Sequence, residues 1–195
     1  MRVRSLLHKA ELYVSRLLTA QLPKGLYYHN LAHTVSVVRV AHHLATASRL
    51  TPEAREQLLL AAWFHDTGFI ECYEGHEAVS QRLLEDFLAA QGCPADRVDP
   101  RLIGVTHKAA RPYDLSSELL KDADLNNLGT AHYEAATRAL RRELAAQQNL
   151  HYSDADWQDH CVAFVREHRF YSVTGRALLA EGKRLNLARL TSRNA

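Results

Sequence analysis

Apolar residues return every three or four positions along most of the chain, the spacing of a helix that buries one face. Leu6, Leu7, Leu17 and Leu18 mark a first amphipathic helix that stops before Pro23 and Gly25. A second runs from about Asn30 to Ser48. "TPEAREQLLLAAWFHD" opens with Thr51 as cap and Pro52 at the first helical position, and its helix ends near Asp66. "GHEAVSQRLLEDFLAAQG" predicts another, stopped by Gly92 and Pro94. "PRLIGVTHKAA" reads as a short helix. "SSELLKDADLNNLG" starts at a serine cap and stops near Gly129. "TAHYEAATRALRRELAAQQ" is rich in helix formers, Ser153 and Asp156 form a capping pattern, and a last helix covers roughly 173 to 184. No stretch alternates as a strand does, and no Asn-Gly or Asp-Gly hairpin occurs. The expectation is an all-α bundle of eight or nine helices. It is read as a single domain over 1–195, with a core at about 25–130 and C-terminal helices 131–195 packed on it.

The 195 residues are 47% hydrophobic and 24% charged, with a net charge of +2. That balance supports a real core and gives no argument for nucleic acid or membrane binding. No apolar run approaches the ~20 residues of a membrane helix. Cys72, Cys93 and Cys161 form no C-x-x-C pair, so a reduced cytoplasmic setting is expected over a disulfide framework or thiolate zinc. His8, Lys9 and Glu11 interrupt the N-terminal apolar stretch, which therefore does not read as a signal peptide.

The unusual feature is twelve histidines, four of them in "YYHNLAHTVSVVRVAHHL". With ~100° per residue, His33 shares an inward stripe with Val37, Val40 and Leu44. His29 lies one turn earlier, whereas His42 and His43 fall toward solvent. His65 and Asp66 stand together at the inner end of the helix carrying Leu58, Leu59 and Ala62. Asp124 lies one turn from Leu120 and from Leu128. Each alone has a plain reading as a hydrogen-bonded core or capping residue. Together they place two imidazoles and two carboxylates inside, where charge is costly unless paired or metal-bound. Such oxygen and nitrogen donors suit magnesium or a divalent first-row ion. His76 and His107 could complete a second metal position.

His33, "HD" at 65–66 and Asp124, on an all-helical chain, resemble the HD superfamily of metal-dependent phosphohydrolases. "YHNLAHT" is similar to the Y-H-N-x-x-H segment of cyclic-nucleotide phosphodiesterases and of small bacterial HD proteins, and "DADL" to the segment carrying the last aspartate. The resemblance spans roughly 25 to 130. It implies His33, His65, Asp66 and Asp124 as ligands of a first metal, with Asp66 bridging and His76 and His107 holding a second ion where two are bound. His29 matches the histidine that protonates the leaving oxygen. The implied cofactor is one or two divalent ions (Mn, Mg, Fe, Ni, Co or Zn). The implied partner is a small phosphorylated substrate such as a nucleotide.

The expected reaction is hydrolysis of a phosphate ester by metal-activated water. Lys108, and after it Arg111, are the candidate cations for the phosphoryl oxygens. Two other readings stand beside it: a di-iron oxygenase on the same fold, and a nucleotide- or partner-binding module without turnover. His132, His151, His160 and His168 fall outside the motif order and read as surface or capping residues. Arg141 and Arg142 read as a solvated helix face.

Overall fold

The computed structural model describes residues 5–99 and 101–192, and among these the chain forms nine α-helices, short 3-10 turns and no strand. The helices are α1 (Leu6–Gln21), α2 (Leu31–Ala47), α3 (Pro52–Phe64), α4 (His76–Ala90), α5 (Arg101–Gly104), α6 (Leu115–Asp124), α7 (Tyr133–Gln148), α8 (Asp154–Glu167) and α9 (Val173–Thr191). The all-α bundle expected from the hydrophobic spacing is the architecture observed.

α3 is the central helix, and its sequence says why. Leu58 to Phe64 are seven consecutive buried residues, apolar all round, so no face of that stretch can meet water. α3 packs against α1, α2, α4, α5 and α6. Because its last turn is buried, the residues that follow it, His65 and Asp66, are delivered to the interior. The caps act as expected at two termini: Thr51 accepts from the Ala54 N–H and Ser153 from that of Asp156; at the start of α2, Asn30 accepts from the N–H groups of Ala32 and His33.

Three boundaries differ from the sequence reading. α6 is capped by Asp114 rather than a serine, with Ser117 closing a reciprocal capping box, and it ends at Asp124 before a separate 3-10 turn at Asn126–Gly129. α5 is only four residues long, since the loop after Gly104 is held by side chains rather than by helical bonds; Pro100, where its stretch was read to begin, lies outside the described residues. α9 continues to Thr191, because no proline or glycine follows Gly182 and Leu190 still has a core to enter. The arginines of α7 are also not idle: Arg141 bonds Asp154 at 2.7 Å and the Arg142 guanidinium sits 4.0 Å over the Tyr27 ring.

Two apolar clusters result. One joins α1 to α6 around Leu58, Leu60, Phe64 and Leu120. The other joins α7 to α9 around Trp157, Cys161, Val165 and Leu179. Asp122 ties α9 to α6. Its carboxylate is fully buried and accepts from the Tyr171 N–H at 2.7 Å, the Ser172 N–H at 2.8 Å and the Ser172 hydroxyl at 2.6 Å. Gly175 makes that approach possible, because a Cβ there would stand 2.1 Å from the Asp122 oxygen. Removing a buried carboxylate with three donors leaves those donors unpaired, at about 3 kcal/mol. Asp122→Ala is therefore expected to melt roughly 6–12 °C below wild type. A melting temperature within 2 °C of wild type, allowing about 0.5–1 kcal/mol, would contradict the staple.

Candidate metal centre

Four side chains from three elements converge. His33 comes from the first turn of α2, where Asn30 fixes the helix start by accepting its N–H. His65 and Asp66 follow α3, and Asp124 is the last residue of α6. His33 Nε2 lies 3.1 Å from Asp124 Oδ1, 3.3 Å from Asp66 Oδ2 and 3.3 Å from His65 Nε2. His65 Nε2 lies 3.2 Å from Asp66 Oδ2 and 3.5 Å from Asp124 Oδ1. His33, His65 and Asp66 are buried, and together they form a cluster able to hold a metal ion.

The hydrogen bonds outside this cluster set its chemistry. His65 Nδ1 donates to the Ala62 carbonyl at 2.8 Å, and His76 Nδ1 to the Tyr73 carbonyl at 3.1 Å. Each ring spends its Nδ1 proton on backbone, so in the neutral form its Nε2 carries a lone pair toward the centre. Asp66 Oδ2 is buried and has no hydrogen-bond partner among the described residues, although two ring nitrogens lie near it. Lone pairs turned on one another repel unless a cation stands among them. Donors sharing an ion at about 2.0–2.2 Å sit roughly 3.0–3.6 Å apart, the range seen here, so these residues fit a divalent ion. Without an ion, the carboxylates and imidazoles pair with one another instead. Burial alone would push the His65 imidazole down, but Asp66 and Asp124 outweigh it and hold it well above its ordinary value. Burial would likewise raise both carboxyls, yet His65 and His76 hold Asp66, and His33 and His65 hold Asp124, well below the usual carboxylate range.

The turn after Asp66 brings in His76. The Thr67 hydroxyl donates to the Phe64 carbonyl at 2.8 Å, closing the end of α3. Gly68 then lies so close to the start of α4 that a Cβ would stand 2.0 Å from the His76 carbonyl oxygen. This contact sets His76 Nε2 3.5 Å from Asp66 Oδ1. Phe69 stacks on the His76 ring at 3.8 Å and on the His29 ring at 4.6 Å, holding both imidazoles on one aromatic plate.

His29 is bound by a residue the sequence reading passed over. Glu143, on α7, is fully buried and pairs closely with His29 Nδ1. It also accepts from the Tyr28 N–H at 2.7 Å, the His29 N–H at 3.0 Å and the Tyr73 hydroxyl at 3.1 Å. Burial would lower the His29 imidazole, but Glu143, with Asp66 and Asp124, raises it above its ordinary value. The reciprocal pairing holds Glu143 down against its burial. The His29 proton is therefore held to higher pH than on a free imidazole, with its ring 5.7 Å from that of His33. Glu143 was findable: it falls one turn after Leu140 on the inward side of α7, the same spacing that singled out His33.

The remaining candidates spread outward. His107 and Lys108 are exposed and line a cleft of about 370 Å³ shared with His29, Tyr73 and His76. Among the described residues, the hydrogen bonds and ion pairs of the cluster include His76 but not His107. Arg111 is exposed in the loop before α6 and does not line that cleft. The loop carrying His107 is anchored by Lys121, whose buried ammonium donates to the carbonyls of Val105, His107 and Ala110 at 2.8, 2.9 and 2.8 Å. His42 and His43 face solvent as expected, whereas His168 is half-buried among Lys183 and Arg169, and burial with those charges lowers it to about 4.

Compared with family models, curated proteins and solved structures, the chain matches none.

Proposed function

We propose that the chain is a metal-dependent phosphohydrolase of the HD kind, cleaving the phosphate ester of a small metabolite such as a nucleotide. The observation carrying this reading is the convergence of His33 and His65 Nε2 on Asp66 and Asp124, with the His65 Nδ1 proton spent on the Ala62 carbonyl. His33, His65, Asp66 and Asp124 would hold a divalent ion, with His76 beside Asp66. Such an ion supplies hydroxide at neutral pH and polarises phosphoryl oxygens.

The chain's own residues do the rest. His29, whose proton the paired Glu143 helps retain, gives a proton to the leaving oxygen. Tyr73, tied to the same carboxylate, keeps the pair in register from the cleft side. Lys108, on the cleft rim, meets the phosphoryl charge. This paired acid favours hydrolysis over oxygen activation, because a leaving group needs it and a di-iron centre does not. It likewise favours turnover over binding alone.

The test uses wild-type protein stripped with chelator and reloaded with manganese, assayed against phosphomonoesters and phosphodiesters. Release of phosphate or alcohol that depends on the metal is expected. If no ester of either kind turns over with manganese, magnesium, iron, nickel, cobalt or zinc, the reading fails.

A further inference from the structure

The segment after α5, Val105 to Ala110, forms turns and no helix, yet it carries His107 and Lys108 to the cleft shared with His29 and His76. Val105 is buried in the core. The segment's own backbone bonds are local, such as the Thr106 N–H to the Ile103 carbonyl at 3.1 Å and the Ala110 N–H to the His107 carbonyl at 3.0 Å. Its tie to the rest of the fold is Lys121 of α6, which is only 5% exposed. The Lys121 ammonium has three protons and meets three carbonyls of this one segment: Val105 at 2.8 Å, His107 at 2.9 Å and Ala110 at 2.8 Å. A buried ammonium is costly unless its protons find acceptors, and an apolar side chain would fill the same space without that cost. Core packing therefore gives no reason for a lysine here, whereas the segment does.

The three bonds bracket Lys108. The His107 carbonyl belongs to the planar peptide unit that joins it to Lys108, so one bond holds the Lys108 backbone directly. The Ala110 bond holds the chain two residues further on. Lys108 is exposed, and among the described residues its ammonium has no hydrogen bond or ion pair. It is the one lysine or arginine lining the cleft, where Glu74 and Glu77 also stand. Lys121 and Asp124 share the last turn of α6, so the cleft's cation and a candidate metal ligand are referred to the same backbone. A cation on a fixed backbone loses less freedom when an anion binds, and so binds it more tightly.

We propose that Lys121 is a positioning residue: through segment 105–110 it sets Lys108 at the cleft rim and thereby sets the affinity for a phosphoryl group. The assignment rests on the phosphohydrolase reading for what enters the cleft, but the affinity can be read without turnover.

The probe is inorganic phosphate, titrated by calorimetry into magnesium-loaded wild type, Lys108→Ala, Lys121→Met and the double variant. Wild type is expected to bind it, and each single variant to bind it about tenfold more weakly. The double variant should bind little more weakly than either single one, because Lys121 acts through Lys108. Amide hydrogen exchange over 105–110 should quicken in Lys121→Met with metal content unchanged. With a hydrolysed ester, Lys121→Met should raise KM about tenfold and change kcat less than about threefold. A lysine that only stabilises the fold would lower the melting temperature and leave phosphate affinity intact, which overturns the proposal. So do fully additive losses in the double variant, or no phosphate binding in wild type. Should Lys121→Met fail to fold, Lys121→Gln takes its place, and unchanged phosphate affinity in Lys108→Ala overturns the proposal by itself. Coupled phosphate binding with no ester hydrolysed upholds the clamp and refutes the hydrolase reading. Ester hydrolysis without the coupling does the reverse.

Discussion

Asp66→Asn protein, incubated with manganese and desalted, is expected to bind the metal at least about 100-fold more weakly than wild type while remaining folded. The substitution keeps the shape of the side chain and removes one charge. In the wild type, Oδ2 faces the Nε2 atoms of His33 and His65 at 3.3 and 3.2 Å, and Oδ1 faces His76 Nε2 at 3.5 Å. The carboxylate is thus the one group touching all three imidazoles, and it balances the charge of any ion among them. No described residue donates a hydrogen bond to Oδ2, so the amide breaks no protein bond there. The fold should therefore persist while metal is lost, giving up only the charge pairing with His65 and His76. Elemental analysis and a melting curve on the same samples read the two effects apart. Equal manganese in variant and wild type would remove Asp66 from the centre. Loss of folding together with metal would make it a core residue instead.

Much of this centre was legible because helical periodicity is a local rule. It placed His33 inward on α2 and His65–Asp66 at the buried end of α3 from neighbours within two turns. It cannot report which helix meets which, and that is where the reading fell short. Glu143 lies 114 residues from His29, and only the folded chain shows the pair. Lys121 and Asp122 sit among apolar neighbours and give no pattern of their own, yet one anchors the loop of His107 and the other the start of α9. In "DADL" the spacing puts Asp124 in the stripe of Leu120 and Leu128 and gives Asp122 less of it, but does not say what Asp122 meets. Being two residues apart they leave α6 in different directions, so Asp122 staples the fold and Asp124 joins the histidines. Lys108 drew notice by adjacency to His107, whereas the lysine that holds that loop is on another helix.

Glu143→Gln is expected to lower turnover by roughly 10²-fold or more, within the 10²–10⁴-fold that a positioned acid contributes, with metal content unchanged. Glu143 touches none of the four central ligands in the contacts described, so a loss of metal would contradict its assignment. The carboxylate accepts the His29 Nδ1 proton, which leaves the other ring nitrogen able to carry the proton that is transferred. Glutamine offers an amide N–H to Nδ1 or a neutral oxygen, and neither stabilises the imidazolium as a carboxylate does. The sign of the pH effect follows. His29 is raised in the wild type, so the acid form persists above its ordinary range, and activity falls as pH rises through the raised value. Removing the Glu143 charge lowers that value and should move the alkaline limb of the pH–rate profile toward acid. The same pairing stabilises the fold only where both partners are charged: Glu143, held low, loses its contribution as pH falls through its depressed value, and His29 loses its own as pH rises through its raised one. His29→Ala should cost as much as Glu143→Gln, and the double variant little more, since the two act as one unit. An unshifted alkaline limb with reduced turnover would make Glu143 a clamp on the Tyr28–His29 backbone and not the partner of an acid.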